Sequence, residues 1–433
     1  MSTHLLSACW TADHVEEMSG AVKVATALIL LVGAAAFTLP TLSAYSSSSA
    51  STGSTFATAA SYSTCPNQTI AGGHVTGFES GRMGSVTDRF SLLAAGPVVD
   101  GTVVRTGNYS LKVPASGASN HAILQPATQT TEIARFAVRL AALPTGNVNQ
   151  LFAMGTNAGN NNSVQLRYVA ATQKLAVAVT PSNGGAATVS QASSTVTAGD
   201  WYVVEIRYAV GTTTHAVDWQ INQVAQPGAT VATTASFITQ LVIGTQAAET
   251  FTANYDDFVF STNGAQYPLG DGRVRALSPN GMGTHVGAAS FTDDDGTPVD
   301  AASWQRLDEI PMNTTTDYIQ MTSAGASNYI EITMADTTET CIRAAEGVLT
   351  LHSTSTNANG AKVSMFQGAQ ETVLRSNMSA AAGSREYGRI LSPGSSWSQA
   401  ALNGVVARFG YAASDVNPVP MLDALLVEYE VPQ

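Results

Sequence analysis

Carboxylates are the side chains in this chain best placed to do chemistry, and they are sparse, with Asp and Glu together numbering 31 in 433 residues. The most informative pair is Asp256-Asp257, within Asn254-Tyr255-Asp256-Asp257-Phe258-Val259-Phe260-Ser261. Alternating aromatic and β-branched residues read as a strand. An Asp-Asp pair at its mouth is poor for strand propensity and asks for a separate reason. A second spacing is Glu428-x-Glu430. Acids two apart on a strand share one face, and glycoside hydrolysis needs two carboxylates held around one bond. These two lie in a strand-like run at the C-terminal end and read instead as solvent-facing. Asp293-Asp294-Asp295-Gly296 invites a calcium-loop reading. It lacks the alternating ligands, the sixth-position glycine and the distal Glu of the helix-loop-helix calcium motif, so it reads as a solvated acidic turn.

Other reactive groups offer less. No Gly-x-Ser-x-Gly elbow occurs, and the seven histidines are scattered singly, without His-Glu-x-x-His or another ligand spacing. Serine hydrolysis and zinc chemistry therefore have no support in the sequence. Cys9, Cys65 and Cys341 match no Cys-x-x-Cys pattern. With a leader removed, Cys65 and Cys341 remain as an even pair, either bridged or as two separately buried thiols. Trp201 and Trp219 read as core plugs of strands, whereas Trp304 and Trp397 sit in loop-like contexts and are the candidate sugar platforms.

The elements that must position these groups are framed by composition. Charged residues make up 12%, Lys is almost absent, and the formal charge is −12. An acidic chain without a basic run has no counterion release to offer a nucleic acid, and little attraction for an anionic membrane surface. Val24 through Ala44 is an apolar run after Lys23 that ends in the small-residue context Leu42-Ser43-Ala44, as in a secretory signal. Initiation at Met18 would give it a short, positive start. An uncleaved anchor is the rival reading, since the run approaches the roughly 17–25 residues that span a bilayer. Residues 45–71 are mostly Ser, Thr and Ala, and read as a linker or stalk that cannot bury enough surface to order itself.

Beyond the linker the pattern is all-β. Strands are predicted at Asn108–Val113, Arg135–Leu140, Gln150–Met154, Ser163–Tyr168, Lys174–Val179, Trp201–Tyr208, His215–Ile221 and Leu241–Ile243, separated by Gly/Asn/Pro turn formers. In Trp201–Tyr208 the alternation sends Val204, Ile206 and Tyr208 inward and Glu205 and Arg207 to solvent. A composition change from Pro268 marks a second set, with strands at Asn328–Met334, Gly347–Ser353, Ala361–Gln367, Val405–Gly410 and Leu425–Tyr429. The expected organisation is a leader at 1–44, a linker at 45–71, one β-sandwich at 72–264 and a second at 265–433, two jelly-roll domains in tandem.

Gly77-Phe78-Glu79-Ser80-Gly81, Arg105-Thr106-Gly107-Asn108-Tyr109-Ser110-Leu111-Lys112-Val113, Gly199-Asp200-Trp201-Tyr202-Val203-Val204-Glu205 and Tyr255-Asp256-Asp257-Phe258-Val259 together resemble the concanavalin A-like and laminin-G-like jelly rolls. The opening is also similar to that of jelly-roll carbohydrate-binding modules. That resemblance implies a structural calcium shared by Glu79 with Asp256 or Asp257. It also implies recognition of a glycan or cell-surface polymer, although no set of stacking aromatics matches residue by residue. The same fold houses glucanases, and the Glu-x-Asp-x-Glu strand they carry is absent here. The pairing with a second β-domain is similar to surface proteins of bacteria and their phages. The expected function is thus non-enzymatic glycan recognition or adhesion, secreted or at a cell surface. The alternatives are a structural component of a phage virion or extracellular appendage and, third, a glycoside hydrolase.

Overall fold

A computed structural model describes residues 69–433, apart from 71, 83–91, 95, 117, 158–160, 182–185, 235, 313–315, 323–327, 354–360, 377–384, 393–395 and 412–419. The leader, most of the Ser/Thr/Ala stretch and Cys65 lie outside the described residues. Cys341 is disulfide-bonded. Among the described residues no helix is long and apolar enough to cross a membrane.

Antiparallel strands dominate, as the alternating patterns require. The first sandwich has an eight-stranded sheet in the order Val224–Ala232, Thr214–Ile221, Trp201–Val210, Thr131–Leu140, Ala253–Ser261, Ser110–Val113 and Val98–Asp100, with Gly73–Thr76 also paired to Ala253–Ser261. Facing it is a seven-stranded sheet in the order Thr188–Gln191, Lys174–Thr180, Asn161–Val169, Val148–Asn157, Gln240–Thr245, Asn120–Leu124 and Leu92–Ala94. Between them Phe136 packs on Phe152 at 4.7 Å between ring centroids, with Tyr255 and Phe258 at 6.1 and 6.2 Å from Phe136. The buried Tyr255 hydroxyl donates to the Leu151 carbonyl at 2.6 Å, as a phenol inside a core must.

The second sandwich sets Phe291–Asp293, Ile319–Met321, Pro420–Pro432, Ala344–Ser353 and Arg385–Ile390 in one sheet, with Gly272–Leu277 also on Pro420–Pro432. Its other sheet runs Pro279–Val286, Tyr329–Met334, Val405–Tyr411, Ala361–Gln367 and Gln370–Ser376. Trp397 is 5% exposed within this core, so its ring faces are covered, and Trp304 packs partly against the same core. Neither stands clear as the sugar platform that its loop-like context suggested. Trp219 is a core residue, as expected, and its indole N–H donates to the Pro227 carbonyl.

The two sandwiches are not independent beads, because the described residues belong to one compact unit, Ser63–Gln433. The outer face of the eight-stranded sheet is covered. Ile70, Val75, Ile133 and Val259 of the first sandwich pack with Leu269, Val274 and Ala344 in one buried cluster. This corrects the solvent assignment of Glu205. It is buried, and its carboxylate accepts from the main-chain N–H of Leu269 and Gly270 and from Gln220 Nε2. Arg207 does stay half-exposed, pairing with Asp218 at 2.6 Å.

Candidate functional site

Ala253–Ser261 is an inner strand with all nine residues buried. Along one side it pairs with Thr131–Leu140; along the other it pairs first with Ser110–Val113 and then with Gly73–Thr76. Its register against Thr131–Leu140 shifts between Asp256 and Val259, and Asp257 has φ 51°. That is a β-bulge, which inserts a residue and resets the alternation. Tyr255 and Phe258 consequently both face the first core, although they are three apart. Asp tolerates the left-handed conformation better than most non-glycine residues. Here is the separate reason for the acid pair: the strand changes partner and inserts a residue at Asp256-Asp257.

Both acids are buried and served by the chain around Arg105. Asp256 Oδ2 accepts from the N–H of Arg105 at 2.8 Å and of Thr106 at 3.2 Å, and its Oδ1 from the N–H of Asp257. Asp257 Oδ1 accepts from Thr106 Oγ1 and from the Val274 N–H, while Oδ2 accepts from Arg105 Nη1 at 2.6 Å. Arg105 Nη2 also donates to both oxygens of Asp271 at 2.8 Å. Glu79 is also buried, and both its oxygens accept from the Asn108 N–H. The Glu79 N–H donates to Glu428 Oε1 at 2.7 Å. Glycine at 107 follows from this packing: it has φ +66°, and a Cβ there would lie 1.9 Å from Glu79 Oε1.

The structure thus brings Glu79, Asp256 and Asp257 to one junction, as the resemblance implied, but with their oxygens committed. Each oxygen accepts from a protein donor, and the guanidinium of Arg105 supplies the counter-charge to Asp257. Among the described residues no group of three or more His, Cys, Asp or Glu side chains is placed to hold a metal ion. The carboxylates as arranged do not form a calcium shell. Burial, with repulsion from Glu428 and Asp257 added, pushes the Glu79 carboxyl up to about 8 despite the opposing N–H groups. Burial and the adjacent Asp257 hold Asp256 well above the usual carboxylate range. Burial alone would lower Arg105, but Asp257 and Asp271 overcome it and raise it.

Glu428 and Glu430, read from sequence as solvent-facing, are both fully buried. Pro420–Pro432 is flanked by strands on both sides and lies under the first sandwich, so neither of its faces is free. Glu430 accepts from Arg135 of the first sandwich at 2.6 Å and from Arg343 of the second at 2.6 Å. Burial would raise Glu430, and the two guanidiniums overcome that, leaving it below its ordinary value. Gly272 lies against this triad, where a Cβ would come within 2.0 Å of Glu430 Oε1. Asp293-Asp294-Asp295 does form a turn. Asp294 and Asp295 pair with Arg306, and Asp295 accepts from Thr297, while Asp293 is buried against Ser303.

Residues the sequence reading passed over are the cations, Arg105, Arg135 and Arg343, and the buried Glu132. One signal was present: Ile133 shares a face of its strand with Arg135, and a large aliphatic beside a charge suggests cover. Beside the acid junction opens a cleft of about 590 Å³ bounded by both sandwiches, lined by Glu79, Thr106 and Asn108 on one wall and Arg273, Arg275 and Gln433 on the other. Arg273 and Arg275 both pair with Glu339, at 3.0 and 3.3 Å.

Fold and site together define an all-β protein of two fused sandwiches with a polar cleft at their junction. No family model and no curated protein matches the chain. Among solved structures it is similar to a cellulose induced protein, Cip1, with 16% identity over 44% of this chain and 97% of that one, at a TM-score of 0.34. It is also similar to a sialidase (8% identity, 42% of this chain, TM-score 0.29) and to a pentraxin from Limulus polyphemus (13% identity, 34% of this chain and 74% of that one, TM-score 0.25). The match spans only 18% of the sialidase. Scores this low carry no argument about what this chain binds.

Proposed function

We propose that this protein is a non-enzymatic, extracellular glycan-recognition or adhesion protein that takes its ligand in the cleft at the sandwich junction. The observation that carries the reading is the contrast between cleft and floor. The cleft is open and offers Asn108, Thr106, Arg275 and Gln433 to a polyhydroxylated chain, whereas the surrounding carboxylates are buried and bonded to main-chain donors. A glycosidase needs an acid and a base free to face one glycosidic bond. Glu79 borders the cleft with both oxygens already accepting from the Asn108 N–H. Polar groups converging between two domains suit orientation-specific binding of a hydrated ligand. The disulfide at Cys341 fits an oxidising compartment.

A glycan array probed with the intact protein, followed by calorimetry on the strongest ligand, tests this. Binding should weaken about tenfold or more in an Asn108→Ala/Arg275→Ala variant whose melting temperature is unchanged, since both side chains are exposed. No reducing ends should appear on incubation with β-glucans, galactans or chitin. Turnover abolished by Glu79→Gln would replace the reading with a hydrolase.

A further inference from the structure

A second cleft, on another edge of the same junction, has a different chemistry. It is about 340 Å³ in volume and is walled by Gly73 and His74 of the first sandwich and by Arg375, Tyr387, Gly388 and Arg389 of the second. In a molecule of net charge −12 its charged lining is wholly basic. Glu346, which contacts His74, is fully buried. Glu346 Oε2 accepts from the Val75 N–H at 2.8 Å, and Oε1 lies 3.2 Å from His74 Nδ1. That contact engages Nδ1 and leaves Nε2 as the other polar atom of the imidazole.

The two arginines differ usefully. The Arg375 guanidinium lies over the buried Tyr387 ring, 4.7 Å from its centroid, a stacking that sets the plane of the guanidinium fork before any ligand arrives. Arg389 is exposed and makes no ion pair among the described residues. Tyr387 and Arg389 are two apart on one strand and share a face, and Gly388 between them adds no side chain to the cleft wall. A preset fork, an uncommitted guanidinium and an imidazole around one small space suit an oxyanion, because guanidinium–oxyanion bonds are charge-assisted and can be bidentate.

We infer that the Arg375–Arg389–His74 cleft binds the oxyanion of an acidic saccharide, a carboxylate- or sulfate-bearing sugar. The saccharide half of this inference rests on the glycan reading above; the oxyanion half stands on the cleft alone. Its volume is at the lower end of the roughly 300–1,000 Å³ usual for small-molecule sites, enough for a one- or two-ring ligand.

The test is titration calorimetry of the intact protein with four probes: glucuronate, glucose 6-sulfate, glucose and inorganic sulfate. Glucuronate or glucose 6-sulfate should bind at least about tenfold more tightly than glucose, and the stronger of the two identifies the anion. Arg389→Ala, at an exposed position, should weaken that binding about tenfold or more without moving the melting temperature. Arg375→Lys, which keeps the charge and loses the fork, should weaken it too. Equal affinity for glucose, or wild-type affinity in Arg389→Ala, overturns the inference. Binding of inorganic sulfate as tight as that of either sugar overturns its saccharide half. Acidic-sugar binding lost in Arg389→Ala but intact in Asn108→Ala/Arg275→Ala separates this cleft from the larger one, so either reading can fail alone.

Discussion

Glu132 sits inside the first sandwich opposite Tyr208, fully buried, with neither carboxylate oxygen given a hydrogen-bond partner. Burial pushes its carboxyl up to about 9, so it is a neutral acid at physiological pH. Keeping that proton near neutrality costs on the order of 3 kcal/mol relative to an ordinary Glu in the unfolded chain. Glu132→Gln, of nearly the same shape and neutral throughout, should therefore raise the melting temperature near neutral pH, and the gain should grow toward pH 9. A melt series that shows no gain would mean that a partner serves the carboxylate. Glu430 is the opposite case. Glu430→Gln leaves two buried guanidiniums without an anion and should destabilise by about 3–5 kcal/mol in denaturant titration, whereas joint replacement of Arg135, Arg343 and Glu430 by Met, Met and Leu should restore much of the loss. At this scale the sequence was least legible. It showed which acids were unusual, Glu79 and Asp256-Asp257, but a carboxylate reads as solvated unless something covers it, and what covers Glu205, Glu428 and Glu430 comes from strands far away in the chain.

Strands were far more legible, because alternation is local. Ala361–Gln367 matches its expected bounds, and Trp201–Val210 and Pro420–Pro432 extend theirs outward. Interior positions such as Val204, Ile206 and Tyr208 follow the pattern. What period-two reasoning could not show is a strand buried on both faces by a second sandwich, or a bulge that resets the phase at Asp256-Asp257. The glycines of the junction make that arrangement testable. Gly107→Ala would force a side chain at positive φ into the Glu79 carboxylate. It should lower stability by more than the roughly 1 kcal/mol typical of a point substitution, while the exposed Gly368→Ala should cost only its positive-φ strain. Comparable losses in the two variants would show that Glu79 moves aside freely. For the junction acids, calcium added to metal-free protein should leave the melting midpoint unchanged, because Arg105 and main-chain N–H groups already serve Asp256 and Asp257. A clear upward shift would show that the cation displaces Arg105.

For the whole molecule, charge burial sets the dependence on pH. Burial raises Glu205. Glu79 at about 8 and Glu132 and Asp256 at about 9, all raised chiefly by burial, hold protons in the native state that the unfolded chain releases near its ordinary value of 4.5 for Glu and 3.8 for Asp. Their contribution is present below those values and is lost as pH rises through 8 to 9. Glu430, lowered, acts in the other sense and loses its contribution as pH falls below 4.5. Melting temperature should thus be highest in mildly acidic buffer and decline steadily toward pH 9. A flat profile from pH 5 to 9 would mean that these groups are charged in the native protein. Because Arg135, Glu430 and Arg343 are shared across the junction, calorimetry should show one transition for both sandwiches rather than two.

The double partnership of the Ala253–Ser261 strand also governs time. Gly73 pairs with Ser261, so the two ends of the first sandwich's sequence must find each other before its central sheet is whole, and Pro420–Pro432, the last strand in the chain, is an inner strand of the second. The first sandwich cannot close before Ser261 has been made, nor the second before Pro420–Pro432 has. Contacts so distant in sequence are slow to form, so in a pulse-labelled chain the first sandwich should become protease-resistant only after Ser261 is made and the second only after Pro420–Pro432 is made.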